Sequence, residues 1–340
     1  MHQALSQLDD LTLVSNDLSQ ARGFTLTAII RNEMYFLPAF LRHYRTLGVK
    51  RFIFLDDQSD DDSRAFLCAQ DDVMVVESKY RFGDQIPEES GHQLGLSGER
   101  MCLMWRSLLV AKYCGGEWSL HLDADEFLSL PQGQTMEALV ESFANTDATT
   151  GWAVMLDMYP TAISDLSNNP NKNSLDPDAG WYFDGRPHLA LNGSDEPKMV
   201  YPGCRARILH TYHLHPRTKK IERYLPFLRP NPRAFNAIRK PILLKWSADS
   251  FFETNHRVTP SVPLPMILPL MHFKFTPHIH EKIQKVVASG QHFRGGWAYR
   301  HLDQALAAMA EHDARFLDAC SVKHSGFEDF RRTGNAIGFD

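Results

Sequence analysis

The chain has 340 residues, 43% of them apolar and 23% charged, with a formal net charge of −5. That content suits one large or two modest globular domains with ample core, and the mild acidity gives no general reason to expect nucleic acid or an anionic membrane as partner. Five cysteines (Cys68, Cys102, Cys114, Cys204, Cys320) are scattered without Cys-X-X-Cys spacing, which reads as reduced thiols of a cytosolic protein and excludes a zinc cluster built on paired cysteines.

Residues 1–22 lack a cationic start followed by an apolar run, so no signal peptide is expected. No stretch approaches the roughly 20 apolar residues of a spanning helix. The expected location is cytoplasmic, and peripheral association with the inner face of a membrane is compatible with the sequence. From residue 23 onward strand and helix signals alternate. FTLTAII (24–30) reads as a strand. PAFLRHYRTLG then carries Phe40, Leu41, Tyr44 and Leu47 at helical spacing, with Pro38 suited to a first turn and Gly48 to a stop. RFIFL (51–55) is a short buried strand, and in the acid-rich segment after it Ser59 or Asp60 could cap a helix. VMVV (73–76) is a third strand, GERMCLMWRSLLVAKYCGG a helix ending in two glycines, and WSLHL (118–122) a fourth strand. The alternation predicts a parallel, doubly wound α/β sheet.

After Gly151 the rhythm changes. GWAVMLDMY reads as another strand, whereas residues 161–204 are rich in Asn, Asp, Pro, Ser and Gly and too long for a plain connection. Residues 205–245 hold eleven Lys or Arg against a single acid, Glu222. That run reads either as a solvated face or as a phosphate-binding region. From His278 the pattern is helical, with Ile283, Val286 and Val287, then Leu302, Leu306 and Met309.

In an open α/β sheet, ligands bind beyond the carboxyl ends of the strands. Arg31-Asn32-Glu33 follows the first strand, Asp56-Asp57 the second, and Asp123-Ala124-Asp125 the fourth. If the fourth strand continues extended, Asp123 and Asp125 share one side. Two such carboxylates form a half-built site for a hard divalent cation, whose other positions are filled by water and substrate phosphates. The structural alternative is a solvated turn with a capping Asp. Asp56-Asp57 followed by Ser59 is likewise a good turn and cap, and a histidine among apolar residues is commonly a hydrogen-bonded core residue.

Taken together, IIRNE, FLRHYRTLGVKRFIFLDDQSDDDS and GEWSLHLDADEFL, followed in order by YPGCRARIL, KPILLKWSADSFFETNHRV and PLMHFKF, resemble bacterial family-two-like glycosyltransferases of GT-A fold, over about residues 24–300. The resemblance implies a Rossmann-like mixed sheet flanked by helices, with a helical C-terminal extension. It implies an N-terminal segment 1–22, a nucleotide-sugar-binding half 23–150, an acceptor and catalytic half 151–275 containing the polar stretch 161–204, and a tail 276–340. It further implies a UDP- or GDP-type nucleotide diphosphate sugar as donor, a glycan or lipid-linked acceptor, and Mn²⁺ or Mg²⁺. Asp125, supported by Asp123, would hold the ion, with His272 completing its shell or touching the diphosphate. Asp56 or Asp57 would bind the base, and Arg31 with Asn32 and Glu33 would lie near the nucleotide. Lys274, Arg205 and Arg207 would neutralise the leaving diphosphate. An inverting displacement needs a proton acceptor, expected at Asp249, with Glu253 and His256 in the same block. Cys204 stands where the resemblance leads one to expect an aliphatic residue, and the 161–204 segment is unusually polar for the family. Rival readings are a haloacid dehalogenase-type phosphatase, which would place Thr or Val where Glu126 stands, a sugar-nucleotide pyrophosphorylase, which would open on a glycine-rich loop, and a non-catalytic glycan-binding protein.

Overall fold

The structure is a computed structural model that describes residues 10–89, 91, 98–168, 173–214, 237–289 and 293–339. In chain order the first elements are β1 (Thr12–Leu13), β2 (Thr25–Ile30), α1 (Leu37–Thr46), β3 (Arg51–Asp56), α2 (Ser63–Cys68), β4 (Val73–Glu77), α3 (Met101–Cys114) and β5 (Trp118–His121). There follow β6 (Glu126–Leu128), α4 (Met136–Glu141), β7 (Thr150–Asp157), α5 (Asp165–Asn168), β8 (Tyr182–Asp184), β9 (Leu189–Asn192), β10 (Asp195–Met199) and α6 (Cys204–Thr211). The chain finishes with β11 (Arg239–Lys245), β12 (Phe251–Thr254), β13 (Arg257–Thr259), β14 (Pro263–His272), α7 (Ile279–Ser289), α8 (Phe293–Glu311), β15 (Ser321–Lys323) and α9 (Phe327–Arg332).

Short, wholly buried runs such as TLTAII and RFIFLD make poor surface strands and good central ones, because both of their faces must be covered. Among the described residues nine strands form one sheet in the order β1-β4-β3-β2-β5-β11-β7-β14-β6. β4, β3, β2 and β5 run parallel, as do β7 and β14. β11 is inserted between these two groups, antiparallel to both neighbours, so β2 to β5, β7 and β14 all point one way. The result is a mixed α/β architecture with a large, mainly parallel central sheet flanked by helices. Register aligns the carboxyl ends: Asp56 pairs with Ile30 and Glu77, and His272 with Asp157 and Glu126.

Strand alternation divides the core. Leu26, Ala28, Phe52, Phe54, Val73 and Val75 pack toward α1 and α4 on one face, while Ile29, Ile53, Leu55, Met74 and Val76 pack toward α3 on the other. α1 carries Pro38 in its first turn, and Gly48 just past its end adopts φ +87°, a left-handed conformation that favours glycine. A third cluster joins Ile208 and Leu209 of α6, Ile279 and Ile283 of α7, and Leu302 and Leu306 of α8. It fixes the C-terminal helices beside the sheet.

Where described, the polar stretch 161–204 contains α5 and β8 to β10. The C-terminal tail contains β15 as well as helices. α2 starts at Ser63, and Ser59 serves the preceding turn instead, its hydroxyl accepting from the Asn32 amide at 3.0 Å. Of the basic run, 215–236 lies outside the described residues. None of the five cysteines forms a disulfide, and among the described residues no helix is long and apolar enough to cross a membrane.

Gly151 of β7 lies against both neighbouring strands, so a Cβ there would sit 2.9 Å from Leu243 Cβ and 3.2 Å from Leu268 Cδ1. Overpacking of this kind costs about 1–3 kcal/mol. Gly151→Ala is therefore expected to lower the unfolding free energy by that amount, read as a lower urea midpoint at unchanged m-value; an unshifted midpoint would contradict the packing described.

Candidate active site

The chain leaves β5 at His121 and turns at residues 124–125 before entering β6. Asp123 and Asp125 therefore do not share a side by strand alternation, as the sequence had suggested; the turn sends them to different partners. Asp123 Oδ1 accepts from Arg106 Nη2 at 2.9 Å and Oδ2 from Lys240 Nζ at 2.8 Å. Lys240 Nζ also donates to both oxygens of Glu126, at 2.7 and 2.6 Å, and the Asp123 amide donates to Glu126 Oε2 at 2.8 Å. Lys240 is 2% exposed and Glu126 1%. Burial raises the Glu126 pKa against the pull of Lys240. At Asp123 burial also opposes ionisation, but Arg106 and Lys240 prevail and hold the carboxyl well below its usual range.

Arg106 is itself oriented from behind. Its Nη1 lies 2.9 Å from His121 Nε2, and an arginine can only donate. Nε2 must then accept, which puts the ring proton on Nδ1, facing Thr27 Oγ1 at 2.8 Å. Burial, then Arg106 and Lys240, push His121 well below the ordinary imidazole value, keeping it neutral.

Asp125 faces a second group. His272 Nδ1 donates to Asp157 Oδ1 at 2.7 Å, and Asp157 Oδ2 accepts from Arg205 Nε at 2.8 Å. A carboxylate on Nδ1 leaves the Nε2 lone pair outward, and this Nε2 stands 3.8 Å from Asp125 Oδ2. Lys282 Nζ of α7 lies 3.3 Å from Asp125 Oδ2 and 3.0 Å from Glu33 Oε1. Lys274 Nζ donates to Tyr299 Oη at 2.8 Å. Burial raises Asp125, but Lys282, His272 and Lys274 together bring its pKa down to about 2.

Two lone-pair donors facing each other across 3.8 Å fit a cation between them. A magnesium-like ion needs only one or two protein ligands where substrate phosphates and water supply the rest. Asp125 and His272 meet that requirement. Asp123 is the poorer ligand, since both of its oxygens accept from cations at 2.8–2.9 Å whereas at Asp125 Lys282 reaches Oδ2 at 3.3 Å, and its placement is that of a support. Among the described residues no group of three or more His, Cys, Asp and Glu is arranged to hold an ion.

Asp56 is fully buried and accepts from Arg64 Nε at 2.6 Å and the Ser59 amide at 3.1 Å. Asp57, 2% exposed, accepts from the Phe82 amide at 3.1 Å and lies 3.8 Å from Arg31 Nη1; burial raises its pKa. Asn32 adopts φ 55° and is tied to Asp60. Arg207 points away from the cluster, into a buried pairing with Asp184 at 2.8 Å. His256 lies beside the cluster, its Nδ1 donating to the Arg239 carbonyl at 3.1 Å. Asp249 is corrected outright. It is exposed in the turn after β11, and because β11 runs against β5, that turn lies at the edge opposite Asp123.

Sequence reasoning missed Arg106, Lys240, Asp157, Lys282 and Tyr299. A signal existed for the first two: an arginine inside MCLMWRSLLV and a lysine opening the apolar KPILL are burials that require a partner. Lys282 carries no such mark.

No family model matches the chain. A glycosyltransferase family 92 protein from Oryza sativa subsp. japonica is 23% identical over 126 residues, which is 37% of this chain and 19% of that protein. The chain thus spans about a fifth of the length of the curated relative it matches, and the family designation differs from the family-two-like resemblance read in the sequence. Among solved structures, a mannosyltransferase from Pyrobaculum calidifontis in complex with GDP-Man and Mn²⁺ is 12% identical, covering 91% of this chain and 81% of that one at a TM-score of 0.27. A UTP-bound UGPase from Acinetobacter baumannii is 8% identical, covering 92% of each chain at a TM-score of 0.27. At that TM-score neither carries weight on function.

Removing one partner of a buried ion pair costs about 3–5 kcal/mol. Lys240→Ala, which strands Glu126 and leaves Asp123 to Arg106 alone, is expected to lose that much by denaturant unfolding, and adding Glu126→Gln to recover part of it. His256 is held at about 3 by burial and by Lys240, against an ordinary 6.5. The unfolded chain then takes up the proton first, so stability falls as pH drops below about 6.5. His256→Gln should flatten the dependence of Tm on pH between about 6.5 and 5; an unchanged slope would show that the imidazole is not held neutral.

Proposed function

We propose that this chain is a glycosyltransferase of GT-A type, which moves a sugar from a UDP- or GDP-type nucleotide diphosphate sugar to a hydroxyl of a glycan or lipid-linked acceptor. The observation that carries this reading is the convergence of Asp125, His272 and Lys282 at the carboxyl edge of the sheet, with Lys274 close by. The family 92 similarity supports the same activity. Residues 23–150 are assigned to the donor and 151–275 to the acceptor and catalysis.

Asp125 and His272 would hold Mn²⁺ or Mg²⁺, which supplies positive charge to the donor's diphosphate when bound. The chain's own groups act around that point. As the bond from the anomeric carbon to the diphosphate oxygen breaks, the oxygen keeps the electron pair, and Lys282 and Lys274 are the ammonium groups near enough to stabilise it. Asp57 and Arg31 are assigned to the nucleotide, while buried Asp56 braces the adjoining turn through the Ser59 amide and Arg64. Arg205 acts through Asp157 by fixing His272. His256, neutral at physiological pH, is suited to accepting a hydrogen bond from a hydroxyl and orienting it. Attack by the acceptor oxygen from the face opposite the diphosphate forms the new bond and inverts the anomeric centre, and the hydroxyl's proton is released to water.

The test is thermal shift with GDP and with UDP, each with and without Mn²⁺. One nucleotide is expected to raise the Tm in the presence of the ion, corresponding to about 2.7 kcal/mol at a hundredfold excess over Kd. Asp125→Asn and His272→Gln should abolish that shift and cut donor hydrolysis by two orders of magnitude or more. If neither nucleotide shifts the wild-type chain, or if Asp125→Asn responds like wild type, the reading is wrong.

A further inference from the structure

Next to the cluster lies a separate cavity of about 430 Å³, between the β9–β10 and β12–β13 hairpins. Its size falls within the roughly 300–1,000 Å³ of small-molecule sites, but its lining is unusual in being polar almost throughout, with Val258 its apolar member. Asp195, Glu196 and Glu253 supply three carboxylates, and Lys198, Arg239 and Arg257 three cations. These charges are largely paired. Glu196 accepts from Arg239 Nη2 at 2.6 Å and Arg257 Nε at 3.0 Å, and Arg257 Nε is 3.3 Å from Glu253. Arg239 is further held by the Pro197 carbonyl at 2.8 Å and by the Trp152 ring, 5.7 Å from its centroid.

This chemistry selects among ligands. An anion would meet as many carboxylates as cations, so the cavity has no net attraction for phosphate or sulfate. A hydrophobic ligand would find almost no apolar wall. What the lining offers is donors and acceptors side by side on fixed groups, the pattern that matches adjacent hydroxyls, each of which both donates and accepts.

The cavity is also connected to the cluster. Arg239 lines it, while the next residue, Lys240, turns to Asp123 and Glu126. His256, in the turn of the β12–β13 hairpin, touches the Arg239 carbonyl. We propose that this cavity is a subsite for a neutral oligosaccharide, seating acceptor sugar units beyond the one that receives the transferred residue. The acceptor role rests on the glycosyltransferase reading; the saccharide specificity rests on the cavity itself.

The experiment is saturation-transfer NMR on the full chain, with mannotriose, cellotriose and N-acetylchitotriose as neutral probes and a sulfated heparin tetrasaccharide as the anionic control. At least one neutral probe is expected to receive saturation at millimolar concentration, and the sulfated one none. Glu196→Gln, which breaks the carboxylate shared by the two arginines, should weaken that binding tenfold or more. Ser194→Trp, at an exposed lining position, should block it by bulk without touching an ion pair, and Tm confirms that each variant is folded. Absence of binding by all neutral probes, preference for the sulfated one, or binding that survives both variants overturns the proposal. The nucleotide thermal shift of the wild-type chain separates the two readings. Saccharide binding without a nucleotide response sinks the transferase and keeps the subsite; a nucleotide response without saccharide binding does the reverse.

Discussion

The ammonium of Lys240 is the constraint on which the rest of this site depends. Three acids follow β5 within five residues, and one buried cation contacts two of them, Asp123 and Glu126. Charges removed from water are tolerated only when paired and hydrogen-bonded. Arg106 completes the pairing, and His121 and Thr27 carry the hydrogen-bonded chain into the middle of the sheet. The acids are therefore neutralised largely from within. That arrangement leaves Asp125 as the member of the motif turned toward His272 and the C-terminal helices.

Delivering Lys240 to that place dictates the topology. The lysine sits at the start of β11, and a strand parallel to β5 would have put that start at the amino edge. Antiparallel insertion between β5 and β7 brings it to the carboxyl edge, and the same reversal carries Asp249 to the far side. On the other flank, parallel pairing of β7 with β14 sets Asp157 beside His272. Asp157 thereby fixes the imidazole that faces Asp125. Lys282 arrives by another route, on a helix anchored through Ile279 and Ile283 in the third core cluster. The site is thus built in two tiers: inner cations that hold the acids in place, and outer groups that present charge to a ligand.

Much of the first half was legible in the chain itself. Strands at 25–30, 51–56, 73–77 and 118–121 and the helices between them follow from short apolar runs, helical spacing, and stops such as Gly48. The carboxyl-edge rule then located Asp56, Asp57, Asp123 and Asp125 at one side of the molecule. The second half was less readable because its signals conflict. Polar residues of 161–204 belong to short strands whose pairing comes from distant partners, as β8 finds β15, and no local pattern announces such a partner.

What the sequence determined alone is local: which segments bury both faces, where a strand must end, and that an acid cluster at such an end needs compensation. Periodicity and propensity act over a few residues, so they survive without knowledge of the rest. Only the tertiary structure decided who compensates whom. The direction of β11, the turn after His121, and the approach of α7 are set by hydrogen-bond register and packing between segments more than a hundred residues apart, and contacts of that range leave no trace in the spacing of neighbours along the chain.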